Sequence, residues 1–341
     1  MSETCLIEVT RGSLVESGHA GCLAVVDADG VTVLALGDVD RPVFPRSAVK
    51  ALQAVPLVES GAADALGLGN AALALACSSH NSEVRHVETA LAMLASAGRD
   101  GNVLECGAHW PKRLADQKAL IRAGREPDAT YNNCSGKHAG FVCLSHHLGV
   151  DPAGYIKPEH AVQQAVRADL ETFTGRAFEA DSCGIDGCSI PTYAVPLTAL
   201  ARAFATFGTG NGLAPAKAAA AARLRSACAA EPFQVAGTGR FCTEIMQHFG
   251  KRVFVKTGAE GVFCAAFPEN GLGIALKCGD GATRAAEAMM AHVIKAFLPL
   301  STTDEAFLAS YLTVAVHNWN GLEVGSVRAS QAFRDALAGR Q

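Results

Sequence analysis

Two hydrophobic rhythms alternate along the chain. At the start, CLIEV, CLAVVDADG and VTVLAL are short β-branched runs bounded by turn residues; they predict strands, with Asp29-Gly30 as a tight hairpin turn. From Ser47 the pattern becomes helical. In VKALQAVPLVES, Val49, Leu52, Val55 and Pro56 fall near one stripe, and Pro56 kinks or ends the first turns. A serine at the head of that segment stands at a strand-to-helix junction, close to unsatisfied amide donors.

The middle predicts helices over Val84 to Ala97, Lys112 to Ala123, Lys137 to His147, Glu159 to Phe173 and Pro196 to Phe207. Two loops rich in glycine and cysteine, YNNCSGKH and DSCGIDGCSIP, lie between them. The alanine-rich LAPAKAAAAARLRSACAA continues the helical character, and ATFGTGNGLAP before it is the best hinge candidate. After Gly250 the strand rhythm returns in RVFVKTG, GVFCAAFPENG and LGIALKCGDG, followed by a helix from about Ala282 to Ala296. Strands at both ends fit either two sequential sheets or one sheet closed by the two termini, and periodicity does not choose. There is no internal repeat.

A length of 341 residues allows one large domain or two intimate ones, and 49% hydrophobic against 18% charged residues marks an ordered globular chain. The net charge of -4 gives no electrostatic footprint for nucleic acid or acidic membranes. No apolar run reaches the roughly 20 residues of a spanning helix, and MSETCLIEVTRGS lacks the pattern of a secretion signal, so a cytoplasmic location is the default expectation. Most of the 12 cysteines, such as Cys143 in GFVCLS and Cys264 in GVFCAAF, read as reduced core residues. Those beside glycine and polar residues need another explanation.

Chemistry enters at Arg46-Ser47-Ala48-Val49-Lys50. Residues i and i+3 share a helix face, so Lys50 can approach the Ser47 hydroxyl and take its proton if burial or nearby charge lowers its pKa. Alone, such a tetrapeptide is more often a serine N-cap with a surface lysine. A second element changes the weighting. Lys256-Thr257-Gly258 ends a predicted strand, much like the lysine-threonine-glycine signature of β-lactamases and penicillin-binding proteins, and in the same order. Gly258 would let a substrate approach the backbone.

With the loops included, FPRSAVKALQAVPLVESGAAD, ALACSSHNSEVRHVE, CGAHWP, YNNCSGKHAGFV, DSCGIDGCSIPTYAVPL and VKTGAEGVFCAAFP resemble the rhizobial-type L-asparaginase II family. That resemblance implies an α+β fold like that of serine β-lactamases and penicillin-binding proteins. In one asparaginase domain over 1–341, an antiparallel sheet subdomain from about 1–46 plus 250–341 would carry a helix-rich region at about 47–249. It implies hydrolysis of L-asparagine to aspartate and ammonia, and a homodimer. Ser47 with Lys50 and Ser79 with Lys256 match the two catalytic serine-lysine pairs, and Arg46 precedes the nucleophile. Cys134, Lys137 and Cys188 match the ligands of one zinc ion (Zn2+) per subunit, structural or modulatory.

Asp186, two residues before Cys188, is placed to orient a ligand or metal-bound water, while Cys183 shares the loop as a competitor. Without the resemblance, reduced cysteines beside a hydrogen-bonding lysine would outweigh zinc, because lysine must lose its proton to ligate. Arg46, His80, Asn81, Asn133, Thr257, Gly258 and Glu260 are the candidates to hold the substrate, since so small a ligand must be clamped by charge and directional hydrogen bonds. For His80 a satisfied loop histidine is an equal alternative. Three competing functions stay open: a glutaminase, a β-lactam hydrolase or transpeptidase, and a zinc- or amino-acid-binding module without catalysis. CSSHN in place of a serine-aspartate-asparagine element speaks against the β-lactam reading.

Overall fold

The computed structural model describes residues 4–340. Strands β1 (Cys5–Arg11), β2 (Leu14–Asp27) and β3 (Thr32–Leu36) come first. Four short strands brace the middle: β4 (Pro42–Val43), β5 (Cys183–Ile185), β6 (Pro191–Tyr193) and β7 (Val195–Pro196). Then follow β8 (Phe254–Thr257), β9 (Val262–Phe267), β10 (Leu272–Cys278), β11 (Thr313–His317) and β12 (Glu323–Ala329).

Both ends of the chain meet in one eight-stranded sheet, ordered β11-β12-β1-β2-β10-β9-β8 with β3 on β2. Every pairing in it is antiparallel. The architecture is α+β, an antiparallel sheet flanked by helices, as in β-lactamases and penicillin-binding proteins. β2 binds the sheet together: Leu14 to Ala20 pair with β1, and Gly21 to Asp27 pair with β10. The hairpin at Asp29-Gly30 forms as the sequence predicts, with Gly30 at φ 84°.

Every residue of β8 and β9 is buried, which explains the unbroken apolar run of β9: a strand covered on both faces has no reason to alternate. Helix Leu197–Thr209 packs on β2, β9 and β10, and helix Thr283–Phe297 packs on β1, β9, β10 and β12. The first lies so close that a Cβ on Gly273 would stand 1.9 Å from Ala201 O, so only glycine fits there.

Between the two halves of the sheet runs the helical region. Its centre is helix Ser135–Leu148, buried from Ser135 to Ser145. Gly136 lets it approach helix Asn70–Ala76, since a Cβ there would meet Leu75 O at 2.4 Å. This close approach brings the first turn of the buried helix beside the loop that follows Ala76. β8 is an edge strand of the sheet, and its Lys256 reaches Ser79 in that loop.

Candidate active site

Ser47 stands where β4 gives way to helix. Arg46 takes the left-handed φ of 51°, a costly conformation for a side-chain-bearing residue, and starts a tight turn over Arg46–Val49. A short helix, Lys50–Gln53, continues it, and the break at Ala54 precedes a second helix, Val55–Glu59, with Pro56 in its first turn. The i, i+3 spacing predicts Lys50 beside Ser47. The structure directs its ammonium elsewhere: Lys50 Nζ donates to Ser78 O at 2.6 Å, Ser79 Oγ at 2.8 Å and Cys134 Sγ at 3.0 Å. Ser47 Oγ, half-buried, makes no hydrogen bond among the described residues.

Ser79 is therefore the hub. Lys256 Nζ donates to its Oγ at 3.0 Å and to Thr257 O at 2.8 Å, so Ser79 and Lys256, paired by the family resemblance, are in contact and Lys50 joins them. Two buried lysines on one oxygen do not hold both charges comfortably. Burial, then the charge of Lys50, lowers the Lys256 pKa to about 7.

The thiols lie next to this pair. Cys134 caps helix Ser135–Leu148, and Lys137 Nζ, one turn in, lies 2.9 Å from Cys188 Sγ. A hydrogen bond from Cys188, then Lys50 and Lys137, hold the Cys134 thiol well below its ordinary value despite burial. The same hydrogen bond, with burial, pushes Cys188 up. Burial disfavours the Lys137 ammonium, but Cys188, Cys134 and Asp186 outweigh it and raise its pKa. Asp186 accepts from Arg46 Nε at 2.7 Å, tying the cysteine loop to the residue before Ser47. Cys183 stays apart, its thiol on Gly184 O at 3.6 Å.

The remaining candidates mostly serve one another. His80 Nδ1 accepts from Ser82 N at 3.1 Å and Nε2 lies 3.0 Å from Ser135 Oγ, while burial, then His86 and Lys50, keep the ring neutral. With both nitrogens engaged it acts as a satisfied loop histidine. Asn81 is spent on Thr238 O, Glu83 and Arg240, and Asn133 Oδ1 accepts from Cys134 Sγ at 3.1 Å. Thr257 Oγ1 donates to Gly258 O at 3.2 Å. A Cβ on Gly258 would stand 2.8 Å from Pro45 O, so β8 lies directly against the Ser47 junction. Glu260 turns the following hairpin at φ 55°. The N–H groups of Ser47 and Ala259, on these two adjoining segments, have no acceptor among the described residues.

A family model for L-asparaginase II matches residues 7–329. The chain belongs to the L-asparaginase II family. Comparison with curated proteins finds no match. As a member of that family the chain is an enzyme, an amidohydrolase of asparaginase type. No described helix is long and apolar enough to cross a membrane.

Two features of this family member escaped the sequence. One is a second cluster with metal-ligand chemistry, His19, Cys278 and Asp280, whose ligand atoms lie within 4.8 Å of one another. It can offer a metal three ligands, although Arg284 Nε already donates to His19 Nε2 at 3.1 Å and His19 Nδ1 lies 2.6 Å from Asp280. The other is Arg240, whose Nη1 lies 3.1 Å from Asn81 Oδ1 and 3.4 Å from Ser79 O. It caps helix Phe241–Phe249 and stands 161 residues from Ser79, so no spacing signal links the two.

Proposed function

We propose that this enzyme is an L-asparaginase that cleaves the side-chain amide through an acyl-enzyme on Ser47. The observation that carries the reading is a Ser47 hydroxyl at a helix start, without a hydrogen bond among the described residues and one turn before Lys50, which with Lys256 converges on Ser79. Ser47 Oγ adds to the amide carbon and gives up its proton to Lys50, one helical turn along, which first passes a proton of its own through the Ser79 hydroxyl to Lys256, the lysine whose pKa burial lowers. The oxyanion that forms is taken by the free N–H groups of Ser47 and Ala259. Collapse breaks the C–N bond; the nitrogen takes a proton through Ser79, held between Lys50 and Lys256, and leaves as ammonia. Water then attacks the β-aspartyl ester, releasing aspartate and returning the proton to Ser47.

Side-by-side assays with L-asparagine, L-glutamine and a β-lactam test this. Ammonia release fastest with asparagine is expected; rapid β-lactam opening with no ammonia from asparagine would overturn the reading.

Cys134, Lys137 and Cys188 are the residues that would hold one zinc ion. Their fit rests on convergence: Lys137 Nζ is 2.9 Å from Cys188 Sγ, and Cys188 with the nearby lysines lowers the Cys134 thiol well below its ordinary value. When bound, zinc would supply positive charge and rigidity next to Lys50 and Arg46. Replacing Cys188 by alanine is expected to lower zinc content sharply, raise KM and leave measurable turnover. Metal analysis and kinetics on the same sample check it. A loss of turnover as complete as that of a Ser47 variant would instead point to a metal-generated nucleophile.

A further inference from the structure

Four cations gather around Ser79, and the steps above use only two. Lys50 and Lys256 hold its hydroxyl, whereas Arg240 reaches the carbonyl of the same residue. The position of Arg240 is built, not incidental. Asn81, which accepts from Arg240, is fixed through its own Nδ2 to Thr238 O at 3.1 Å and Glu83 Oε1 at 3.3 Å. Gly237, at φ 102°, leaves room for this: a Cβ there would stand 2.6 Å from Glu83 Oε1 and 2.8 Å from Asn81 Nδ2. Lys112 N donates to Asn81 O at 3.3 Å, so a fourth cation springs from the same knot.

Among the described residues, none of the nearby acids neutralises this pair. Glu83 is engaged by Thr238 and paired with Arg113. Glu287 feels both Arg240 and Lys112 but makes an ion pair with neither. Partial burial, then Arg240 and Lys50, lower the Lys112 pKa, the mark of positive charges pressed together. Arg240 also leaves most of its five donors without an acceptor among the described residues. As a mere prop for Ser79 and Asn81, a neutral side chain would serve without the repulsion. An anion at this place would relieve it.

Given the asparaginase reading, on which this rests, we infer that Arg240, with Lys112, holds the α-carboxylate of the amino-acid substrate. The scale agrees. In asparagine three bonds separate the amide carbon from the carboxylate carbon, and here the main chain and the side-chain oxygen of one residue, Ser79, separate Arg240 from the two lysines. A guanidinium also matches a carboxylate in two parallel hydrogen bonds, which Lys112 alone would not. The site would accordingly select free amino acids over amides that lack the α-carboxylate.

The test compares the wild-type enzyme with Arg240→Gln on L-asparagine and on 3-aminopropanamide, which is asparagine without its α-carboxylate. Inhibition of asparagine turnover by L-aspartate and by 3-aminopropanamide is measured in parallel. Arg240→Gln is expected to raise KM for asparagine about tenfold to a hundredfold with a much smaller change in kcat. Inhibition by L-aspartate should weaken by a similar factor, inhibition by 3-aminopropanamide should not, and Arg240→Lys should recover part of the loss. An unchanged KM, or equal weakening of both inhibitors, overturns the assignment, the latter because it marks a prop. If Arg240→Gln does not fold, Lys112→Gln on the rim carries the same comparison with a smaller expected factor. The parent reading fails separately: a wild-type enzyme that releases no ammonia from asparagine sinks it. Calorimetry with L-aspartate would still decide the carboxylate site, and a wild-type protein that does not bind L-aspartate overturns that too.

Discussion

Ser47→Ala should lose asparagine hydrolysis by a factor on the order of 10^4 or more, because in the proposed mechanism Ser47 supplies the attacking oxygen. The geometry makes this a sharp choice between two serines. Both lysines donate to Ser79 Oγ at 2.8 and 3.0 Å, whereas Ser47 Oγ is unengaged among the described residues. A Ser79 nucleophile would invert the result, with Ser79→Ala dead and Ser47→Ala active. Ammonia release from both variants, with mass spectrometry of the wild type quenched during turnover, separates the cases. An increment of one β-aspartyl group should sit on the peptide containing Ser47. Near-normal turnover by Ser47→Ala, in a preparation free of other amidases, would refute the assignment.

Lys256→Met should remove most turnover and at the same time stabilise the fold near neutral pH. Burial and Lys50 set the Lys256 pKa at about 7, far below an unfolded lysine at about 10.4. Between those values the unfolded chain carries a proton that the folded chain has released, so stability rises with pH by about 1.4 kcal/mol per unit across that window. Below about 7 both states are protonated and the buried charge costs the fold most. Methionine keeps the apolar volume and abolishes this dependence. Urea denaturation of both proteins at several pH values reads it directly, and a variant less stable than wild type at pH 6 would contradict it. Activity should follow the same proton: kcat/KM of the wild type is expected to climb towards a plateau as pH passes about 7, where Lys256 becomes neutral enough to relay the amide proton.

Much of the fold was legible because its elements carry simple periods. The helices predicted from Val84 and about Ala282 form over Val84–Ser96 and Thr283–Phe297. β11 and β12 were not read at all. β11 is exposed at four of its five positions, so it has neither alternation nor an apolar run to reveal it. The site was legible as a set of residues and not as a wiring diagram. Ser47 and Lys50 announce themselves by spacing, but the direction of the Lys50 side chain depends on Ser78, Ser79 and Cys134, which only tertiary packing brings near. His80 and Asn81 sat in the right loop, yet their polar atoms are consumed by the wall.

The sheet that joins both ends of the chain has a consequence for how the enzyme matures. Ser330 Oγ donates to Cys5 O across 325 residues, and β2 finds β10 only after the whole helical region has been made. Such distant pairings are slow to form and leave β1 and β2 with unpaired edges during synthesis. The half of the site bearing Ser47, Ser79 and Cys134 emerges from the ribosome long before Lys256. Under the proposed mechanism, which needs Lys256, hydrolytic competence would therefore arrive as one of the last events of folding, with the nascent enzyme inert until its sheet closes.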